Sequence, residues 1–220
     1  MYCNKIGKLV IIGHMKTSNK FTLARLVLAP VLFFIYFIPE WTHSCSGSVL
    51  SVISVCLMIP LLAFAELTDY YDGSYARKHN EVSDFGKMFD PFADVFLHMS
   101  MFTCFVFSGY MPVILYVLIF YREFGQNFLR MVAAKRGTAI AARKGGKLKT
   151  VFYVVSCFVA LAQEGMYRLD LVKYLGKYGE PVMKYALYSG YGFFAVCALL
   201  AYISFADYLK NFGSVLKDSI

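Results

Sequence analysis

The chain has 220 residues, of which 59% are hydrophobic and 16% charged, with a mean hydropathy of +0.56 and a formal net charge of +8. This balance lies far outside that of soluble globular domains, so it excludes an ordinary soluble enzyme and indicates an integral membrane protein. Nucleic-acid binding is the other interpretation of a basic chain. Because the cations flank apolar segments and form no soluble basic domain, we expect no nucleic-acid partner.

Six apolar segments follow one another along the chain, near residues 21–39, 47–68, 88–109, 112–132, 149–165 and 184–208. Each is long enough to cross a hydrocarbon core of about 30 Å as a helix. The alternation typical of strands is absent from the sequence, and helices satisfy their own backbone hydrogen bonds in lipid. The sequence therefore predicts an all-α integral membrane protein with six transmembrane helices.

The segments around these spans complete the predicted organisation. Residues 1–20 have no signal-peptide pattern, because the apolar piece from Leu9 to Ile12 is too short, and we expect them to form an amphipathic surface helix. A six-helix domain then covers 21–212, and 213–220 form a cytoplasmic tail. Gly73 is expected to interrupt or closely pack the second helix, and Pro91 to lie near the beginning of the third. Residues 166–183 are too charged to span and contain a turn signal.

The distribution of Lys and Arg predicts the orientation in the membrane. Of the 22 cations, five lie in residues 1–25, three in 77–87, eight in 122–149 and two from Lys210 onward, all on one side if six spans alternate. The remaining four lie in the opposite loop: Arg168, Lys173, Lys177 and Lys184. The positive-inside rule then places both termini, and with them residues 69–94, at the cytoplasmic face of the inner membrane.

Four carboxylates stand out, because they lie within 26 residues of an otherwise apolar sequence: Asp69, Asp72, Asp90 and Asp94. A carboxylate at membrane depth costs about 2.5–3.5 kcal/mol unless it is paired or coordinated. Residues three or four apart share a helix face, so Asp69 and Asp72 project together, as do Asp90 and Asp94. Two facing helices would bring all four to one point, which indicates a bound cation or a reaction.

These residues belong to a pattern with fixed spacing, DxxDGxxAR followed after eight residues by GxxxDxxxD. The pattern resembles the signature of the CDP-alcohol phosphotransferases at every fixed position. The resemblance implies two divalent cations, Mg²⁺ or Mn²⁺, held on the pyrophosphate of a CDP-linked lipid by Asp69, Asp72, Asp90 and Asp94, with Asp94 also the general base. It further implies a homodimer and a pocket for the CDP-lipid formed by Asp69, Gly73, Ala76, Arg77 and Gly86.

Further segments are similar to the bacterial phosphatidylglycerophosphate synthases of that family, over about residues 18–165. They are the stretch from Ser18 to Arg25, Arg122-Glu123, Leu129-Arg130 and 146–150. The resemblance implies CDP-diacylglycerol and glycerol 3-phosphate as substrates. The dianionic phosphate of glycerol 3-phosphate would suit the cations on the predicted aspartate side: Arg122, Arg130, Lys147 and Lys149. Two positions depart from that subfamily: Val95 replaces a Lys after the last aspartate, and Ser18 replaces a Pro.

Other interpretations remain open at this point. Inositol phosphate, serine or choline would be alternative acceptors within the same family. An aspartate-rich membrane prenyltransferase would normally need two acidic motifs, whereas this chain has one. A divalent-cation transporter would explain carboxylates in a membrane but would place them at the bilayer midplane, and it gives no reason for the spacing of Gly86. The six cysteines and four histidines are scattered, and we assign them no chemical role.

Overall fold

The computed structural model describes residues 17–78, 84–135 and 144–217. Every regular element in these ranges is helical: α1 (Thr17–Trp41), α2 (Val49–Lys78), α3 (Asp84–Phe107), α4 (Val113–Lys135), α5 (Lys144–Arg168), a 3-10 helix (Leu171–Tyr178) and α6 (Gly179–Lys217). The predicted all-α fold is therefore confirmed for this part of the chain. The predicted surface helix covers residues 1–20, and residues 1–16 of this segment lie outside the described part of the chain.

Four segments in the described ranges are long and apolar enough to cross a membrane: Asn19–Trp41, Val49–Asp69, Gly146–Arg168 and Leu171–Lys210. The chain therefore has the helices of a multi-pass membrane protein. The other two predicted spans correspond to α3 and α4. Both helices carry charged residues within their length, namely Asp90 and Asp94 in α3 and Arg122, Glu123 and Arg130 in α4. These charges interrupt the apolar stretch that defines a span.

Helix α1 lies at the centre of one half of the bundle, where it packs against both α2 and α3. Helix α5 contacts α2, α3 and α6, and α6 also packs along α4. A shared apolar core joins these helices, with fully buried side chains that include Tyr36, Met58, Leu62, Phe102 and Phe194. Many outward-facing side chains are large and apolar, as expected of helices that meet lipid.

Of the two alternatives expected for Gly73, interruption of the helix is excluded, because α2 continues without a break through that residue to Lys78. A glycine costs a helix interior only about 1 kcal/mol relative to alanine, which the rest of a 30-residue helix tolerates. The prediction for Pro91 is wrong in detail. Helix α3 begins at Asp84, so the proline lies inside the helix, where its ring removes one backbone donor.

A buried ionic network ties the helices together at the end opposite the aspartates. Arg168, the last residue of α5, donates from Nε to Glu164 Oε1 at 2.5 Å and from Nη1 to Ser54 Oγ at 2.8 Å. Its Nη2 donates to the backbone carbonyl of Tyr36 at 2.8 Å, and its own carbonyl accepts from the amide of Gly47 at 2.9 Å. One side chain therefore links α5 to α1 and α2.

The segment 166–183 forms no span of its own. Helix α5 ends at Arg168, the 3-10 helix follows after a left-handed Asp170, and α6 begins directly at Gly179. A Cβ atom at Gly179 would lie 2.7 Å from the carbonyl oxygen of Val172, so this close approach requires glycine. The chain thus turns back toward the bundle within a few residues.

Candidate active site

Three of the four signature aspartates lie at one end of the bundle, around the buried face of α1. Asp69 is in the C-terminal part of α2, and Asp90 and Asp94 are one turn apart on α3. Helix α1 packs against both of these helices and presents Thr22 and Arg25 to them. The antiparallel order of the helices therefore produces the convergence that the sequence predicts for these three residues.

Arg25 is the residue that joins the two aspartate helices. Its Nη1 atom lies 2.5 Å from Asp69 Oδ1 and also contacts Asp94 Oδ1. The Arg25 side chain is 1% exposed, whereas the carboxylates of Asp69 and Asp94 are 39% and 26% exposed. The guanidinium therefore binds the carboxylates from the interior of the bundle, and their other sides face outward.

Thr22 lies one turn before Arg25 on the same face of α1. Its hydroxyl donates to Asp90 Oδ1 at 2.5 Å. Asn19, another turn earlier, is also buried. This spacing of three residues places the polar side chains of α1 in a single row beneath the aspartates. The row fixes where each carboxylate points.

The donor set fits a hard divalent cation. Carboxylate oxygens are the ligands that Mg²⁺ and Mn²⁺ prefer, and Asp69 and Asp94 already share a single cationic group. Within the described side chains, no group of three His, Cys, Asp or Glu residues is arranged to hold a metal. Arg25 supplies the positive charge that these carboxylates require.

Part of the predicted nucleotide pocket cannot be placed. The side chains of Asp72, Ala76 and Arg77 lie outside the described residues, although the backbone of α2 is helical through Lys78. Gly86 is buried in the first turn of α3, four residues before Asp90.

A second charged cluster surrounds Glu123 on α4. Its Oε1 atom accepts from Arg122 Nη1 at 2.7 Å, from Lys149 Nζ at 2.7 Å and from the Tyr153 hydroxyl at 2.8 Å. Arg122, Glu123 and Lys149 are all buried. Two cations share one carboxylate, so the cluster keeps one excess positive charge.

Arg122 also attaches α4 to α6. Its Nε donates to the Ala201 carbonyl at 2.8 Å, and its Nη2 donates to Ser204 Oγ at 3.2 Å. The guanidinium lies 5.9 Å from the ring centroid of Phe205. These contacts give Arg122 a structural role in addition to any contact with a ligand.

The other two predicted acceptor cations, Arg130 and Lys147, differ from Arg122 and Lys149 in being less buried. Arg130 is half-buried two turns after Arg122 on α4, and its Nε atom is buried without a hydrogen-bond partner among the described residues. Lys147 is exposed near the beginning of α5. The acidic and cationic clusters approach each other through Tyr153, whose hydroxyl donates to Glu123 and whose ring packs against His98, one turn from Asp94.

Several residues of this site had no predicted role. The family resemblance includes Thr22 and Arg25 only as part of the segment from Ser18 to Arg25, although two polar residues spaced by three in an apolar helix are a signal of a buried polar face. Tyr153 and Ser204 carry no such signal. A single hydroxyl in an apolar helix is common, and its partner lies on another helix.

Comparisons with known proteins agree with this geometry. Residues 15–196 match the family described as CDP-alcohol phosphatidyltransferase. The chain is 36% identical over 208 residues to the CDP-diacylglycerol--glycerol-3-phosphate 3-phosphatidyltransferase of Treponema pallidum (strain Nichols), covering 92% of each chain. It is 35% identical over 139 residues to the protein of the same name from Bacillus subtilis (strain 168), covering 63% of this chain and 72% of the relative.

A third relative carries a different name. The chain is 36% identical over 139 residues to the probable phosphatidylglycerophosphate synthase of Mycobacterium tuberculosis (strain ATCC 25618 / H37Rv), covering 63% of this chain and 62% of that protein. The family match covers most of the sequence and contains both charged clusters. This chain therefore belongs to the CDP-alcohol phosphatidyltransferase family and is a transferase enzyme.

Proposed function

We propose that this enzyme transfers the phosphatidyl group of CDP-diacylglycerol to glycerol 3-phosphate, giving phosphatidylglycerophosphate and CMP. The proposal rests mainly on one observation, namely that a cluster of carboxylates and a cluster of cations lie next to each other in the bundle. Asp69, Asp90 and Asp94 form an acidic group, and Tyr153 joins the carboxylate of Glu123 to the ring of His98, one turn from Asp94. A diphosphate with its metals suits the first cluster, and an anionic acceptor suits the second. The names of the relatives support the same substrates.

The acidic cluster would hold two divalent cations, Mg²⁺ or Mn²⁺, through Asp69, Asp72, Asp90 and Asp94. Bound there, the cations would polarise the phosphoryl oxygens and neutralise the charge on the departing CMP. Thr22 and Arg25 orient three of these carboxylates from the protein side. Arg25 is therefore a positioning residue.

The CDP-lipid would lie along the end of α2 and the beginning of α3, where Gly73, Ala76 and Gly86 leave room for the nucleotide. Arg77 would bind a phosphate of the leaving CMP through its guanidinium fork. The acyl chains would stay among the apolar side chains that face outward. This placement rests on the resemblance of the motif and on the position of Gly86 in α3.

The cation cluster explains why an anionic acceptor fits best. Arg122 and Lys149 share the single carboxylate of Glu123, and Arg130 and Lys147 add two further charges. A dianionic phosphate would compensate this excess, whereas serine or choline would leave it uncompensated. We propose that glycerol 3-phosphate binds here with its phosphate against the cations and its 1-hydroxyl toward Asp94.

Asp94 would act as the general base. Its carboxylate takes the proton of the 1-hydroxyl as that oxygen attacks the phosphorus of the lipid phosphate. The new oxygen–phosphorus bond forms while the bond from the same phosphorus to the bridging oxygen breaks, and CMP leaves with that electron pair. Partial exposure of the Asp94 side chain, 26%, allows an acceptor to reach it.

The membrane arrangement completes the proposal. Helices α3 and α4 have 24 and 23 residues, about 35 Å at about 1.5 Å per residue, which is long enough to span despite their charges. Six spans would place the aspartates at the cytosolic side of the inner membrane, where the positive-inside count of the sequence puts them. A homodimer remains an expectation from the resemblance alone.

The proposed reaction can be tested by measuring its two products in vitro. Purified protein in detergent micelles, supplied with CDP-diacylglycerol, glycerol 3-phosphate and Mg²⁺ or Mn²⁺, is expected to form phosphatidylglycerophosphate and CMP in equal amounts. Mass spectrometry of the lipid phase and chromatography of the nucleotide measure both. CMP formed without the new lipid would indicate hydrolysis and would contradict the proposal.

A further inference from the structure

A buried pair, Glu66 and His98, lies one helical turn deeper in the bundle than the aspartates. Glu66 is three residues before Asp69 on α2, and His98 is four residues after Asp94 on α3. His98 Nε2 lies 3.3 Å from Glu66 Oε1, and the two side chains are 3% and 16% exposed. The pair bridges the two aspartate helices directly.

The orientation of His98 is fixed from three sides. Its Nδ1 lies 2.8 Å from the backbone carbonyl oxygen of Asp94, and because a carbonyl only accepts, Nδ1 carries the hydrogen. The ring packs edge-on against Phe102 and Tyr153, with centroid distances of 6.2 and 5.6 Å. The imidazole therefore holds the turn that carries Asp94 and points its second nitrogen across to α2.

Tyr153 extends this arrangement to the cation cluster. Its ring contacts His98, while its hydroxyl donates to Glu123 at 2.8 Å. The acidic and cationic halves of the site therefore rest on one connected layer, made of Glu66, His98, Tyr153 and Glu123.

The stabilisation that this pair provides depends on the distance between its two polar atoms. Glu66 Oε1 and His98 Nε2 are buried atoms that face each other at 3.3 Å. Neither of these atoms has a conventional hydrogen bond within the described part of the chain. Each buried polar atom is therefore compensated mainly by the other, which resists any movement of α2 away from α3.

We propose that Glu66 and His98 are positioning residues that set the separation of Asp69 and Asp94 for metal binding. The inference rests on the proposed metal site. Asp69 lies one turn from Glu66 on α2, and Asp94 lies one turn from His98 on α3. The distance between Glu66 and His98 therefore fixes the distance between Asp69 and Asp94. Outer residues that orient metal ligands typically affect metal affinity by 10- to 100-fold.

The test measures metal binding without turnover. Mn²⁺ binding to the purified protein in micelles is followed by electron paramagnetic resonance of the free ion, and the Mn²⁺ concentration that gives half-maximal binding is determined. His98→Phe keeps the ring and its aromatic contacts but removes both nitrogens. It is expected to raise the half-maximal Mn²⁺ concentration about 10- to 100-fold. Glu66→Gln, which keeps the shape and a carbonyl oxygen, is expected to give a smaller rise in the same direction.

Turnover supplies a second readout. His98→Phe is expected to lower kcat at a fixed Mn²⁺ concentration below saturation and to recover most of it when Mn²⁺ is raised. The KM for glycerol 3-phosphate should change less than about threefold, because the acceptor cations are bound by other groups. The double variant should resemble His98→Phe alone, since two residues that act as one pair do not add.

Glu164→Gln is the matched control. Glu164 forms a comparably buried ion pair with Arg168 at the opposite end of the bundle. This variant should lower Tm while leaving the half-maximal Mn²⁺ concentration unchanged. An unchanged Mn²⁺ midpoint in both His98→Phe and Glu66→Gln, or an equal shift in Glu164→Gln, would overturn the positioning role. If the unaltered protein binds no Mn²⁺, the proposed metal site itself fails, and this inference fails with it.

Discussion

Arg25 Nη1 lies 2.5 Å from Asp69 Oδ1, and this contact joins residues 44 positions apart in the sequence. The same nitrogen contacts Asp94. A buried guanidinium thus occupies the place between two helices where the family resemblance puts metal ions. Arg25 can hold the carboxylates of Asp69 and Asp94 together before metal ions bind. Once metal ions are bound, the same carboxylates would contact both Arg25 and the metals.

Arg25→Ala tests this sharing. Without metal, the variant leaves Asp69 and Asp94 facing each other uncompensated, so the free energy of unfolding should fall by about 1–3 kcal/mol, limited by the partial exposure of both carboxylates. Saturating Mn²⁺ should raise Tm more in Arg25→Ala than in the unaltered protein. Lys20→Ala, an exposed cation of the same helix, is the control. An equal Mn²⁺ response in all three proteins would contradict the account of Arg25.

The aspartates should separate metal binding from chemistry. Asp69→Asn, Asp72→Asn and Asp90→Asn are each expected to abolish CMP release while the protein still folds in detergent, because each removes a charged metal ligand. Asp94→Asn should also lose turnover but keep CDP-diacylglycerol binding, since a base is needed only for the chemical step. Near-normal turnover in any of the first three variants would remove that residue from the metal site. In Asp94→Asn, it would assign the base to another group.

Glu123→Gln tests the cation cluster as a structural unit. Removal of the shared carboxylate charge leaves Arg122 and Lys149 buried together, which should lower the free energy of unfolding by about 3–5 kcal/mol. The apparent Tm should fall by about 6 °C or more, and added glycerol 3-phosphate should restore part of it. Glu40→Gln, at an exposed position, should change neither quantity. Equal Tm values for Glu123→Gln and Glu40→Gln would show that the cluster contributes little.

Acceptor recognition can be measured at Arg122. If this guanidinium binds the phosphate, Arg122→Ala removes a contact worth about 1.5–3 kcal/mol and raises the KM for glycerol 3-phosphate about ten- to a hundredfold. Arg122→Lys should recover only part, because an ammonium lacks the planar fork. Arg77→Ala should instead raise the KM for CDP-diacylglycerol. An unchanged acceptor KM together with a lower Tm in Arg122→Ala would leave Arg122 with only its contacts to Ala201 and Ser204.

Orientation in the membrane can be tested by labelling. In a variant with its native cysteines replaced, a cysteine at Lys173 should react with an impermeant thiol reagent added to intact cells. Cysteines at Lys135 or Arg143 should react only after the membrane is opened. The opposite labelling pattern would invert the topology and separate the aspartates from the cytosol.

The sequence predicted what depends on local spacing. Apolar length gave the helices, and the interval of four residues put Asp90 and Asp94 on one face of α3. It could not predict the contacts of Arg25, because they depend on which helices pack together. It also left open whether α2 continues past Gly73, since the weak preference of one glycine does not decide whether a long packed helix breaks.

His98 is a second residue whose contacts could not be predicted from the sequence. His98 is isolated in the sequence, and its significance comes from Glu66 on a different helix and from the Asp94 carbonyl one turn away. Buried polar pairs between helices leave no periodic pattern, because each helix contributes a single residue. The acceptor cations were found from charge alone, but their division into buried Arg122 and Lys149 and exposed Lys147 required the packing of α4 on α5 and α6.

The measurement that tests the central claim most directly is CMP release from CDP-diacylglycerol in micelles with a panel of acceptors. With Mg²⁺ or Mn²⁺ present, glycerol 3-phosphate should support release, whereas inositol phosphate, serine and choline should not. EDTA and Asp94→Asn should both abolish it. Release with another acceptor but not with glycerol 3-phosphate would contradict the assigned substrate, and glycerol 3-phosphate-dependent release that persists in EDTA would contradict the metal-dependent mechanism.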